Sequence, residues 1–224
     1  MSPQQLPPAL PPETRTVGQL VAETLKLYGR HVWLALALGL APATIDLVAT
    51  ELSRTEALVF VPLVGGLVLT AAFVAASFVA TETPLEQRRL LTAFAAGFLV
   101  FIPFPFLASV FILPGLVWLA FVGLSVPAAV AEGLGMRASL ARGLQLGRTD
   151  YVHALGSLAT LAIIVFLTRA MLFILLRGFG ESTERAASYL ADLVVSPLLF
   201  LGAGVLYLDQ SARVGSSLRA ERSR

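Results

Sequence analysis

From Leu90 to Ala131 the chain carries no Asp, Glu, Lys or Arg. As one helix that stretch would be roughly 60 Å long at ~1.5 Å per residue, about twice the ~30 Å hydrocarbon thickness of a bilayer. It therefore predicts two membrane spans with a turn between them. Pro103-Phe104-Pro105 and Pro114-Gly115 compete for that turn. A turn at Pro103 leaves the first span about 13 residues, short of the ~20 that a crossing needs. The turn is therefore placed near Pro114-Gly115, with Pro103 and Pro105 kinking the span before it. A re-entrant segment between the prolines is the alternative.

Composition extends this reading to the whole chain. Of 224 residues, 57% are hydrophobic and 13% charged, with a mean hydropathy of +0.82. Soluble domains carry about 25% charged residues, so a water-facing surface is not available to most of this protein. There is no cysteine, which excludes disulfides, thiolate metal sites and thiol nucleophiles. The net charge of +2 is too small to suggest nucleic acid as a partner.

Four further spans follow from the same argument. They run from about Val32 to Ala49, Leu58 to Ala80, Tyr151 to Leu176 and Ala187 to Leu208. The expected fold class is all-α, a polytopic transmembrane bundle of about six spans. Residues 1–14, with Pro3, Pro7, Pro8, Pro11 and Pro12, read as a disordered cytoplasmic tail. Residues 15–210 read as the transmembrane domain, and 211–224 as a basic cytoplasmic tail.

Two amphipathic segments precede spans. In the first, Val17, Leu20, Val21, Thr24, Leu25 and Tyr28 share a face opposite Gln19, Glu23, Lys26 and Arg30. The second, Glu132 to Asp150, has Leu134, Leu140, Leu144 and Leu146 as its apolar part and Arg137, Arg142 and Arg148 as its charge. Thr83-Pro84-Leu85-Glu86 reads as a helix start, with Thr83 as N-cap and Pro84 in the first turn. Leu25-Lys26-Leu27-Tyr28-Gly29-Arg30 and Leu144-Gln145-Leu146-Gly147-Arg148 are alike, and Thr83 to Leu91 is a weaker counterpart. The implied unit is an interfacial helix plus a two-span hairpin, used three times.

Orientation follows from the basic residues. With the N-terminus in the cytoplasm, the inner segments hold Arg15, Lys26, Arg30, Arg88, Arg89, Arg137, Arg142, Arg148, Arg213, Arg219, Arg222 and Arg224. The outer loops then hold only Arg54, Arg177 and Arg185. That asymmetry predicts a multi-pass protein of the bacterial cytoplasmic membrane with both termini in the cytoplasm. Arg137, Arg142 and Arg148 then face an anionic leaflet, so membrane lipids are expected partners. A membrane protein partner also fits such a module.

Ionisable residues inside spans are the main functional candidates. Asp46 lies about one turn inside the outer end of the first span. Arg169 lies about two turns inside that of the fifth, and Asp192 near the outer start of the sixth. All three share the outer half. Asp192 is the first choice of partner for Arg169 because the fifth and sixth spans are antiparallel neighbours; Asp46 is the second. Structural ion pairing, a headgroup-binding cavity and snorkelling to the interface all remain open readings. Glu132 is expected to pair with Arg137 or Arg142, or to cap the next helix. His31 and His153 begin spans and read as interface packing. Ala72, Ala76 and Ala80 suit close helix packing. No Ser–His–carboxylate set, phosphate loop or HExxH occurs. No catalytic residue, metal ligand or cofactor is assigned, and the protein is expected not to be an enzyme.

One stretch resembles a known family. It contains Pro114-Gly115-Leu116-Val117-Trp118, then Pro127-Ala128-Ala129-Val130-Ala131-Glu132-Gly133, then Ala138-Ser139-Leu140-Ala141-Arg142-Gly143-Leu144. This is similar to the membrane domain of bacterial glycerophosphoryl diester phosphodiesterases and to related stand-alone membrane proteins. Leu206-Tyr207-Leu208-Asp209 followed by Arg213 is similar to the tyrosine-aspartate-arginine ending of that family. The resemblance covers about residues 80–215 and implies a six-helix membrane module. It carries no catalysis here, because in the fused enzymes the chemistry belongs to a separate soluble barrel.

Overall fold

The computed structural model describes residues 11–110 and 112–222. The proline-rich stretch expected to be disordered lies mostly outside these residues. Among them every regular element is helical, and six helical stretches are long and apolar enough to cross a membrane. The protein is a multi-pass, all-α bundle.

The chain opens with a 3-10 turn, Pro12–Thr14, and α1, Val17–Arg30. Thr16 caps α1 reciprocally with Gln19. Helix α2, Val32–Glu51, is the first span. Ser53 and Glu56 form a second capping box that starts α3, Arg54–Phe60. Pro62 lacks an N–H, and the helix widens into a π-helical stretch at Val61–Gly65 before α4, Gly66–Thr81, completes the second span.

Two local expectations are corrected around the third span. The helix does not start at Thr83. Thr83 donates its backbone N–H to Phe78 O at 3.3 Å, and Glu82, with φ of 49°, donates to Val79 O at 3.4 Å. That pattern closes the end of α4 as a Schellman motif. Thr83 is thus committed to the preceding helix, and α5, Gln87–Phe101, takes Glu86 as its N-cap residue. No separate amphipathic helix precedes the third span, so the weakest of the three expected repeat units lacks that part.

The uncharged stretch reverses between a helix that runs to Val110 and one that starts at Ile112. Helix α6, Phe104–Val110, continues the third span beyond a kink at Ile102-Pro103. Helix α7, Ile112–Trp118, starts the fourth, with Pro114 in its first turn, where no intrahelical N–H donation is needed. The chain therefore turns just before Pro114-Gly115 rather than on it. Trp118 Nε1 donates to Val100 O at 2.8 Å and ties the two spans together. A π-helical stretch, Leu119–Gly123, leads into α8, Ser125–Glu132.

Helix α9, Met136–Thr149, is the second amphipathic helix. It doubles back along α8. A Cβ on Gly143 would lie 2.6 Å from Ser125 N, and one on Gly147 would lie 2.5 Å from Ala120 O. Small residues at Ser139, Gly143 and Gly147 therefore allow backbone-to-backbone approach. The fifth span is α10, Tyr151–Leu176. The sixth is α11, Glu181–Val195, and α12, Pro197–Arg222, with a break at Ser196. Helix α12 runs without interruption across residues 210 and 211.

Helices α1 and α2 run antiparallel to α12 and α11. Arg15 meets Asp209, Tyr28 meets Val194, and Glu51 meets Arg185. Gly39 packs on the backbone of Leu193, leaving no room for a side chain. On α1 the buried residues are Leu20, Thr24 and Leu27, while Leu25 is 51% exposed. The buried face is rotated toward α12 relative to the expected stripe.

The core is centred on the fourth and sixth spans, whose most apolar windows are 61% and 72% buried; the fifth reaches only 11%. On α10 no residue beyond Ala162 is buried. With six crossings both described ends lie on one face, here called the terminal face. The loops near residues 52–53 and 177–180 lie on the opposite, distal face.

Candidate functional site: two arginine–carboxylate clusters

The three intramembrane residues singled out from sequence come together in the distal half. Helix α10 presents Arg169 between α2 and α11. Its Nη2 lies 3.1 Å from Asp46 Oδ2 and its Nη1 lies 3.1 Å from Asp192 Oδ1. The two alternative partners are both realised, because a guanidinium offers donors in two directions. Asp192 is 3% exposed, and its Oδ2 has no hydrogen-bond partner. The side chains of Asp46 and Arg169 are each 38% exposed.

That exposure opens on a groove. A cavity of about 290 Å³ lies between α2, α10 and α11, with Asp46, Thr50, Phe173, Glu184, Ser188 and Tyr189 among its walls. Arg185 also lines it, and its Nη1 lies 2.5 Å from Glu51 Oε1. Glu184 forms no ion pair among the described residues.

A second cluster sits toward the terminal face. Asp209 on α12 is fully buried. Arg15 Nη1 lies 2.8 Å from its Oδ1, and His153 Nε2 lies 3.8 Å from its Oδ2. Arg213 donates to Asp150 Oδ2 at 2.7 Å and to the Arg15 carbonyl at 2.8 Å. Asp150 also accepts the His153 backbone N–H at 3.0 Å, which caps α10, and Gln210 donates to the Asp150 carbonyl. The approach to α1, the start of α10 and the middle of α12 are thereby tied together. Next to it, Glu132 accepts from Arg142 Nε at 2.8 Å and from the Tyr207 hydroxyl at 2.9 Å. Arg89 donates to the carbonyls of Val130 and Ala131 at the end of α8, where a cation also suits the helix dipole.

This second cluster was not foreseen as a unit. The available signal was Asp209 four residues before Arg213 on an apolar helix. Neither Arg15 nor Asp150, far away in sequence, pointed to it. The histidines, read alike from sequence, differ: His31 is exposed and His153 is buried. Of the three arginines expected at lipid, Arg137 and Arg148 are exposed, while Arg142 is turned to Glu132 and Gln145. Glu132 thus takes Arg142 among the partners expected for it.

Among the described residues no group of three His, Cys, Asp or Glu side chains is placed to hold a metal ion. Both histidines lack a hydroxyl hydrogen bond among these residues. Comparisons with protein-family models, with curated proteins and with solved structures found no match.

Proposed function

We propose that the protein is a non-enzymatic membrane module that organises lipid, and that the distal groove beside Asp46 receives the polar head of an amphiphile. One observation carries this reading: the Asp46–Arg169 pair lies within two apolar spans yet stays 38% exposed on an open cavity. A charged side chain costs about 2.5–3.5 kcal/mol at the hydrocarbon centre on insertion scales, and less in the outer half where this pair lies. A part-exposed pair at such a position calls for a polar environment, which the head of an amphiphile supplies. The basic residues favour a cytoplasmic terminal face in a bacterial inner membrane. Exposed Arg137 and Arg148 on that face add attraction to anionic lipid, about 1 kcal/mol each near the surface.

The test is the lipid that accompanies the protein. Ser188→Trp fills the groove from α11, at a position that itself belongs to no ion pair among the described residues. Native mass spectrometry of the parent should show retained lipid, and that of the variant should show less of it. Equal lipid retention would remove the groove from the reading.

A further inference from the structure

The groove has an excess of acceptors. Two carboxylates line it, Asp46 and Glu184, and two more, Glu51 and Asp192, are held next to it by ion pairs. Two guanidinium groups answer them, Arg169 and Arg185. Arg169 spends its terminal nitrogens on Asp46 Oδ2 and Asp192 Oδ1, and Arg185 spends Nη1 on Glu51. Asp46 Oδ1 and both Glu184 oxygens are left without a donor among the described residues. Asp192 Oδ2, buried where Asp192 meets Arg169, also lacks one among these residues. Arg177, in the loop that follows α10, is exposed and lines no wall of the cavity.

The remaining walls point the same way. Phe173 and Tyr189 bring two aromatic rings to the cavity. The negative face of a ring attracts an ammonium, and such rings recur in sites for amines. An anionic head would meet Asp46 and Glu184 as like charges. The cavity, at about 290 Å³, suits a head rather than a chain. Apolar surface for a chain adjoins it: Leu47 lines the cavity and is 42% exposed, while Met171 and Ile174 on α10 are 70% and 71% exposed.

We propose that the distal groove takes the ammonium group of an amine-bearing amphiphile, with Asp46 and Glu184 accepting its N–H donors beside Phe173 and Tyr189. This rests on the groove reading above and assigns the class of head that the groove selects.

The probes are dodecylamine, dodecanoate and ethylamine, titrated against the full chain in nanodiscs with empty nanodiscs as background. Dodecylamine should bind about tenfold or more tighter than dodecanoate, and Glu184→Gln should weaken it about tenfold. Glu184 holds no side-chain partner among the described residues, so this variant keeps its structure; Asp46→Asn is the second arm and also loosens Arg169. Dodecanoate binding as tightly as dodecylamine, or Glu184→Gln leaving dodecylamine unchanged, would overturn the ammonium assignment. The groove reading would survive that result if Ser188→Trp still abolished binding of whichever probe bound. Indifference of every probe to Ser188→Trp would sink the groove itself. Ethylamine competing as well as dodecylamine would assign the site to free amines and overturn the amphiphile part. Failure of ethylamine to compete supports it.

Discussion

Arg15 and Arg169 each reach an aspartate on the α11–α12 pair, one near each face of the bundle. The terminal-face aspartate, Asp209, is fully buried, and a second arginine, Arg213, braces the same junction. The distal guanidinium, Arg169, is 38% exposed beside a cavity. The difference comes from what covers each cluster. At Asp209 the N-terminal turn, α1, α10 and α12 converge. At Arg169 the fifth span has already left the core, since nothing beyond Ala162 on α10 is buried. Similar ion pairs therefore hold helices together at one end and face outward at the other.

The largest test is all-or-none. Cysteines at Thr55 and Ser182, both exposed and near the distal face, should react with a membrane-impermeant thiol reagent in intact cells. Cysteines at Ala138 and Ser217, exposed toward the terminal face, should be protected. Labelling of Ser217 with protection of Ser182 would exchange the two faces and place the groove on the cytoplasmic side.

Next comes the sealed cluster. Removing one member of a buried ion pair costs about 3–5 kcal/mol because the other charge is left unpaired. Asp209→Ala should therefore lower unfolding stability in mixed micelles by about 3 kcal/mol, and adding Arg15→Ala should recover part of it. Parent-like stability for Asp209→Ala would show that burial there is not matched by a structural role.

A smaller loss is expected in the distal half, where exposure screens the charges. Arg169→Ala should cost about 1–2 kcal/mol, less than Asp209→Ala. Double-mutant cycles should show coupling of Arg169 to both Asp192 and Asp46, about 0.5 kcal/mol or more each. Additivity with Asp46 alone would mean that this carboxylate is free for a ligand. A loss for Arg169→Ala as large as that for Asp209→Ala would erase the contrast between the two clusters.

The smallest effect lies on α1. A hydrogen bond from Lys26, 2.8 Å away, holds the Glu23 carboxyl below its usual range, against a weaker opposing push from burial; the charges of Lys26, Arg15 and Arg30 add to the lowering. A depressed folded-state value means stability that is present above the unfolded carboxyl's range, near ~4.3, and is lost as pH falls through the folded value. Glu23→Gln should therefore cost a few tenths of a kcal/mol at neutral pH and nothing once the parent's carboxyl is protonated. A cost that persists in acid would assign Glu23 a packing role.

Much of the distal cluster was legible in the chain. Charges inside apolar spans are rare enough to stand out, and equal depth narrowed the partners of Arg169 to two. The sharing of Arg169 between both was not legible, because it depends on the separation of α2 from α11, which Gly39 brings together against Leu193. Asp209 was harder to see. Its partners Arg15 and His153 lie in segments that read as a tail boundary and an interface. Likewise α9 offered an arginine-bearing amphipathic pattern, yet its backbone contact with Ala120 and Ser125 comes through Gly147 and Gly143, which hydropathy does not weight.

Sequence by itself determined the helical class, the six crossings, both amphipathic helices and the presence of charge within the spans. Those properties are one-dimensional: a bilayer of fixed thickness needs a minimum apolar length, and each charge is penalised wherever it sits along that length. Tertiary structure decided which faces are covered. In a membrane the lipid is as apolar as the protein core, so hydrophobicity does not distinguish a packed face from an exposed one. Helix α10 is apolar along its whole length, yet only its first half carries buried residues; its second half packs on α11 and leaves its other sides open. That partly covered second half is what leaves Arg169 at the edge of a groove, while Asp209, near the other end of the same bundle, is sealed.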